Sequence, residues 1–132
     1  MDYDITFATG TRADAVAAAL VTLYQVPASQ IQVSPGPPTT SYPLVTVTEY
    51  RFPDGSEFDC RMEAAEPFAR HNGRRHELWL AMEMCVHLHV RAVSPGPGLD
   101  RSRWWLIEPD GAHRIVGFDP TALTERRFVL AG

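Results

Sequence analysis

Proline and glycine punctuate this chain so closely that few stretches can become long regular elements. Eleven prolines and nine glycines stand among 132 residues. They cluster at Ser34-Pro35-Gly36-Pro37-Pro38, Pro53-Asp54-Gly55, Ser94-Pro95-Gly96-Pro97-Gly98 and Pro109-Asp110-Gly111. Proline fixes φ and removes a backbone donor, while glycine supplies φ > 0. Each cluster is therefore a turn or loop that neither a helix interior nor a central strand can cross. Between the clusters lie mostly short segments rich in β-branched and aromatic residues, which suit antiparallel hairpins.

Tyr3–Ala8 alternates apolar and polar residues and reads as a strand. Thr11 is placed to N-cap a helix, with Asp14 at the capping-box position. The Ala-rich run that follows puts Ala13, Val16, Ala17, Leu20, Leu23 and Tyr24 on one face, so a helix is expected over about 12–25, stopped by Pro27. Ile31 and Val33 begin a short strand. Leu44–Phe52 and Glu57–Glu63 flank a hairpin turn at 53–56, and Arg103–Glu108 and His113–Phe118 flank a second at 109–112. Residues 64–76 read as irregular chain running into a polar loop with a tight Asn72-Gly73 turn. Asp119 followed by Pro120 is a helix start, so a short C-terminal helix over 121–127 is expected, with Phe128–Leu130 available as a terminal strand.

The most regular alternation lies at 78–90. Leu78, Leu80, Met82, Met84, Val86, Leu88 and Val90 are separated by Trp79, Ala81, Glu83, Cys85, His87 and His89. Period 2 sustained over thirteen residues predicts one long strand with an apolar and a mixed face. The expected fold is a single α+β domain over 1–132. Its sheet is mainly antiparallel, of about six to seven strands, with the N-terminal helix packed on one face. Ser-Pro-Gly-Pro occurs at 34–37 and again at 94–97, each time followed by a strand and a Pro-Asp-Gly turn. Convergent turn chemistry accounts for this echo better than duplication does, because it falls well below the usual repeat signals.

The charge pattern narrows the function classes. All twelve basic residues are Arg, so a Schiff-base lysine, a phosphate-loop lysine and a Ser–Lys dyad are excluded. A net charge of −4 and no basic stripe argue against nucleic-acid binding. Residues 1–60 carry seven carboxylates against Arg12 and Arg51, whereas residues 61–132 are nearly neutral. Two cysteines make no disulfide framework. The acidic N-terminus has no apolar signal-peptide core, and no run of apolar residues is long enough to span a membrane. These features predict a cytoplasmic protein, and Arg in place of Lys with abundant Ala, Pro and Gly suggests a GC-rich bacterial source.

No G-x-S-x-G, H-E-x-x-H, C-x-x-C or phosphate-cradling loop is present, and no catalytic residue, cofactor or metal is assigned. On a strand, Glu83, His87 and His89 share a face with Trp79 and form a candidate ligand site. His87 and His89 would then lie about 6.6 Å apart at Cα, close enough to chelate with Cys85 or Glu83, but one His-x-His is too common to assign a metal. Arg70, Arg74 and Arg75 are a candidate anion site on a loop. Trp104 and Trp105 are strand neighbours, so one should face outward. With Asp54, Glu57 and Asp59 they form a candidate partner surface. The leading expectation is a small acidic, non-catalytic protein-binding module, such as a bacterial inhibitor or immunity-type protein that occludes a basic site on its partner. The alternative is a small-ligand domain or enzyme using Glu83, His87 and His89 on the sheet face, and edge pairing would allow a homodimer.

Overall fold

The first strand of the chain becomes the centre of its sheet. The computed structural model describes residues 1–40, 42–52 and 55–131. Among these, the strands are β1 (Tyr3–Ala8), β2 (Ile31–Ser34), β3 (Val45–Glu49), β4 (Phe58–Ala64), β5 (Ala92–Pro95), β6 (Trp104–Ile107) and β7 (His113–Val116). The helices are α1 (Ala13–Tyr24), α2 (Glu66–His71), α3 (Glu77–Leu88) and α4 (Pro120–Thr124). The seven strands form one sheet in the order β2-β3-β4-β1-β5-β6-β7, antiparallel throughout except for the β2–β3 pair. The α+β class, the N-terminal helix and the short C-terminal helix are as expected.

Local turn chemistry accounts for the hairpins. β3 pairs antiparallel with β4, although Pro53 and Asp54 of the intervening turn lie outside the described residues. At the second hairpin Gly111 takes φ 89°, its N–H donates to the Glu108 carbonyl at 2.9 Å, and the Ala112 N–H donates to Asp110 Oδ1 at 2.9 Å. The Ser-Pro-Gly-Pro echo ends here. The first copy leads into a strand parallel to β2, and the second into a strand antiparallel to β5.

Residues 78–90 correct the expectation of a long strand, because Glu77–Leu88 is an α-helix. Leu80, Ala81, Met84 and Cys85 are wholly buried, a spacing that belongs to one face of a helix. Apolar residues sit at nearly every position, so period 2 and period 3.6 both fit. Composition favours the helix, since Leu, Met, Ala and Glu dominate and only Val86 and Val90 are β-branched. Topology favours it as well. β4 and β5 flank β1 and are both antiparallel to it, so they run parallel to each other. Joining them requires a crossover of a dozen or more residues, which α2 and α3 supply. Residues 64–76 are accordingly more ordered than expected, with Glu66–His71 helical.

The start of α1 is a second correction. Its N-cap is Arg12, not Thr11, and no side chain of its own caps it. Instead Glu49, at the end of β3, accepts a 2.6 Å hydrogen bond from the Ala13 N–H, with Arg12 3.4 Å away. A first-turn amide that would be orphaned is satisfied by a carboxylate at the positive end of the helix.

Both long helices pack on one face of the sheet. Tyr3, Ile5 and Phe7 of β1 meet Val16 and Leu20 of α1 and Leu80 and Met84 of α3 in the main core. On the opposite face the chain folds back after β7. Phe58, Val93, Leu106 and Phe118 form a smaller core there, with Trp104 and Phe128 packed against it. Asp119 Oδ1 caps α4 by accepting from Thr121 N and Ala122 N, and Phe118 bridges to Leu130 in a minimal terminal pairing. This return covers only part of that face, and the remainder is open.

Candidate functional site

The candidate ligand residues at 79–89 come together for a reason other than the expected one. On a helix Trp79, Glu83 and His87 recur every four residues and share the outward face of α3, not a sheet face. They border a shallow hollow of about 600 Å³ with Leu23 of α1 and Asp110 and Gly111 of the second hairpin turn. Trp79 is 61% exposed and Val86 46%. His89 does not join them. It caps the end of α3 with φ 58°, and the arrangement in which His87 and His89 chelate together is absent. Among the described residues no group of three or more His, Cys, Asp or Glu is placed to hold a metal ion.

Arg70, in the last turn of α2, and Arg74 and Arg75, in the loop after it, do not converge on an anion. Arg74 pairs with Glu66. Arg75 donates to Glu83 Oε1 at 2.9 Å and to the Asn72 carbonyl at 3.1 Å, and its guanidinium lies 5.5 Å from the centre of the Tyr24 ring. Arg70 is exposed. Trp104 and Trp105 face opposite sides of the sheet, as adjacent strand residues should. Trp105 packs against the helix-side core with its ring edge-on to His113, and Trp104 faces the other side, edge-on to Phe118. The acid-rich first half is largely engaged internally. Glu49 holds α1, Glu57 accepts from the Leu130 N–H at 2.8 Å, and Asp4 is paired with Arg61. Asp59 keeps its carboxyl above the ordinary range, first through burial and then through the nearby Glu49 charge. Asp54 lies outside the described residues.

The best-formed site is on the open face of the sheet, where strand alternation turns Asp4 and Thr6 of β1 and Arg61 and Glu63 of β4 to the same side. Register places Asp4 opposite Glu63 and Thr6 opposite Arg61. Arg61 Nε and Nη2 donate to the two oxygens of Asp4, both at 2.9 Å, with Glu63 3.6 Å from Nη2. This two-pronged pair is a preorganised polar floor. The hydrogen bond from Arg61 to Asp4 is the chief reason the guanidinium holds its proton more firmly than usual. The walls are aromatic. Tyr50 and Phe52 stack at 5.2 Å, Phe128 lies 5.1 Å from Phe52, and Trp104 closes the opposite side. The enclosed hollow is about 350 Å³. Apolar walls around a few convergent polar groups are the usual form of a recognition site.

Sequence reading missed Asp4, Thr6, Arg61, Tyr50, Phe52 and Phe128. Their signal is present but dispersed, as the polar half of two alternating strands and three aromatics near strand ends. The Arg61–Asp4 pairing joins residues 57 positions apart, and nothing local encodes that register.

The thiols lie elsewhere and are not poised as nucleophiles. Cys60 and Cys85 are fully buried on the helix side, and burial pushes each up to about 12. No helix among the described residues is long and apolar enough to cross a membrane. No protein-family model, curated protein or solved structure matches the chain.

Proposed function

We propose that this protein is a non-catalytic protein-binding module whose partner surface is the open face of the sheet. The observation that carries the reading is the aromatic-walled hollow over the Asp4–Arg61 pair. Its charged groups are fixed to one another, which suits a rigid docking surface better than proton transfer. Its large side chains are half-buried and held by neighbours, the condition in which Trp and Tyr anchor partners at low entropic cost. Asp2, Asp4 and Glu63 give one end of the face an acidic character that would meet a basic group. An inhibitor or immunity-type protein that occludes a basic site would use such a surface in that way.

Substitution within the hollow tests this. Thr6→Tyr keeps a strand-favouring residue and fills the space, while Trp79→Ala truncates the exposed aromatic on the other side of the molecule. With thermal melts verifying both folds, a partner captured by the unaltered protein should be lost with Thr6→Tyr and kept with Trp79→Ala. Capture unaffected by Thr6→Tyr would overturn the assignment.

A further inference from the structure

The open face carries a charge order as well as a hollow, and that order specifies what the partner presents. Three depressions adjoin along it, of about 530, 350 and 420 Å³, and all three border Asp4. The last two also share Trp104. They follow a row that crosses the strands. Thr46 is in register with Glu63, Glu63 with Asp4, and Pro95 with Trp104. Because Thr6 pairs with Val93, two further residues on each strand bring Asp4 level with Pro95. The row is thus a trough running perpendicular to the sheet's own chain direction.

Its two ends differ in sign. At the β3–β4 end the depression is bordered by Asp2, Asp4 and Glu63, three carboxylates against the single guanidinium of Arg61, which pairs with Asp4 and lies 3.6 Å from Glu63. At the β6 end it is bordered by Arg101 and Arg103. Two acids also border it: Asp4, which is held by Arg61, and the exposed Asp100, which accepts from Ser102 N at 2.9 Å and Ser102 Oγ at 2.6 Å. Arg101 and Arg103 make no ion pair with a described residue. Between the ends stand the aromatic walls. The loop forming the cationic end is held by the Gly96 N–H donating to the Arg103 carbonyl at 3.0 Å, and a Cβ at Gly96 would run into that same carbonyl.

The geometry points to an extended peptide segment of the partner as the occupant, with an aromatic side chain between one basic and one acidic residue. The basic residue seats against Asp2 and Glu63, the aromatic between Trp104 and the Tyr50–Phe52–Phe128 wall, and the carboxylate against Arg101 and Arg103. From β4 to β6 is three strand spacings, about 14 Å. Residues i and i+4 of an extended chain lie about 13 Å apart, so the two charges fall four residues apart with the aromatic midway. Opposite-charge contacts at both ends fix the direction of the segment, and the aromatic anchor supplies most of the attraction.

This inference rests on the open face being the partner surface, and its test is separable from the test of that reading. The probes are the blocked pentapeptides Arg-Gly-Trp-Gly-Asp, Asp-Gly-Trp-Gly-Asp, Arg-Gly-Trp-Gly-Arg and Arg-Gly-Ala-Gly-Asp, titrated into isotope-labelled protein and followed by amide shifts. The first should bind about five- to tenfold more tightly than each of the others at low salt, with shifts centred on Thr6, Arg61 and Trp104. Arg103→Glu should move the preference to the doubly basic peptide. Equal binding of all four, binding of none, or shifts centred on Trp79 would overturn the inference. If Thr6→Tyr still abolishes partner capture in that case, the partner surface stands and only the chemistry assigned to its occupant falls.

Discussion

Glu77 offers a direct reading of how the helix layer is tied to the central strand. It is the first residue of α3, and its Oε2 accepts from the Asp4 N–H at 2.6 Å. Burial raises its proton affinity most, the Asp4 amide bond lowers it, and the Asp4 and Asp2 charges raise it again. The net result is a carboxyl at about 7 against an ordinary 4.5. Folding therefore increases the group's affinity for a proton. The stability it contributes is complete below about pH 4.5 and is lost as pH climbs through 7. A rise of that size corresponds to about 3 kcal/mol at full effect, at 1.36 kcal/mol per pH unit. Glu77 keeps partial contact with solvent, and screening reduces the expected loss to about 1–2 kcal/mol between pH 5 and pH 8. Glu77→Gln keeps an acceptor for the Asp4 N–H but cannot ionise. Urea unfolding at pH 5, 6, 7 and 8 should show the unaltered protein weakening by that amount relative to the variant, which should be the more stable of the two at pH 8. Parallel pH profiles, or a variant less stable at pH 8, would refute the reasoning.

Three further outcomes follow from the same structure. Glu49→Ala should cost about 1–2 kcal/mol in denaturant unfolding, because the Ala13 amide at the start of α1 loses its carboxylate. Cys60 and Cys85, each held at about 12 by burial, should resist iodoacetamide in the native protein at pH 8 and react only on unfolding, as mass spectrometry would register. Ala81→Leu should cost about 1–3 kcal/mol by overpacking a fully buried site, measured by thermal or urea melts; a strand over 78–90 would have left Ala81 on the mixed face with room for the change.

The parts of the fold legible in the sequence are those whose causes are local. Gly111 and Asp110 specify the second hairpin within five residues, and Asp119-Pro120 starts α4 as expected. Where a cause is distant, local reading fails. Glu49 rather than Thr11 secures α1, across 36 positions of chain. The α3 segment fits both periodicities, and its helix-favouring composition together with the parallel relation of β4 and β5 selects the helix. Trp79, Glu83 and His87 share a face under either geometry, because a spacing of four suits a helix as an even spacing suits a strand. The open-face site was illegible for the opposite reason. Asp4, Arg61 and Phe128 each look ordinary alone, and the register that gathers them depends on long-range pairing.

The central claim is that the partner meets the open sheet face and not the helical one. A photo-activatable residue at Thr6, compared with one at Val86 beside Trp79, tests this most directly. With the partner present, crosslinking from position 6 and none from position 86 is the predicted result, and crosslinking from position 86 alone would contradict it.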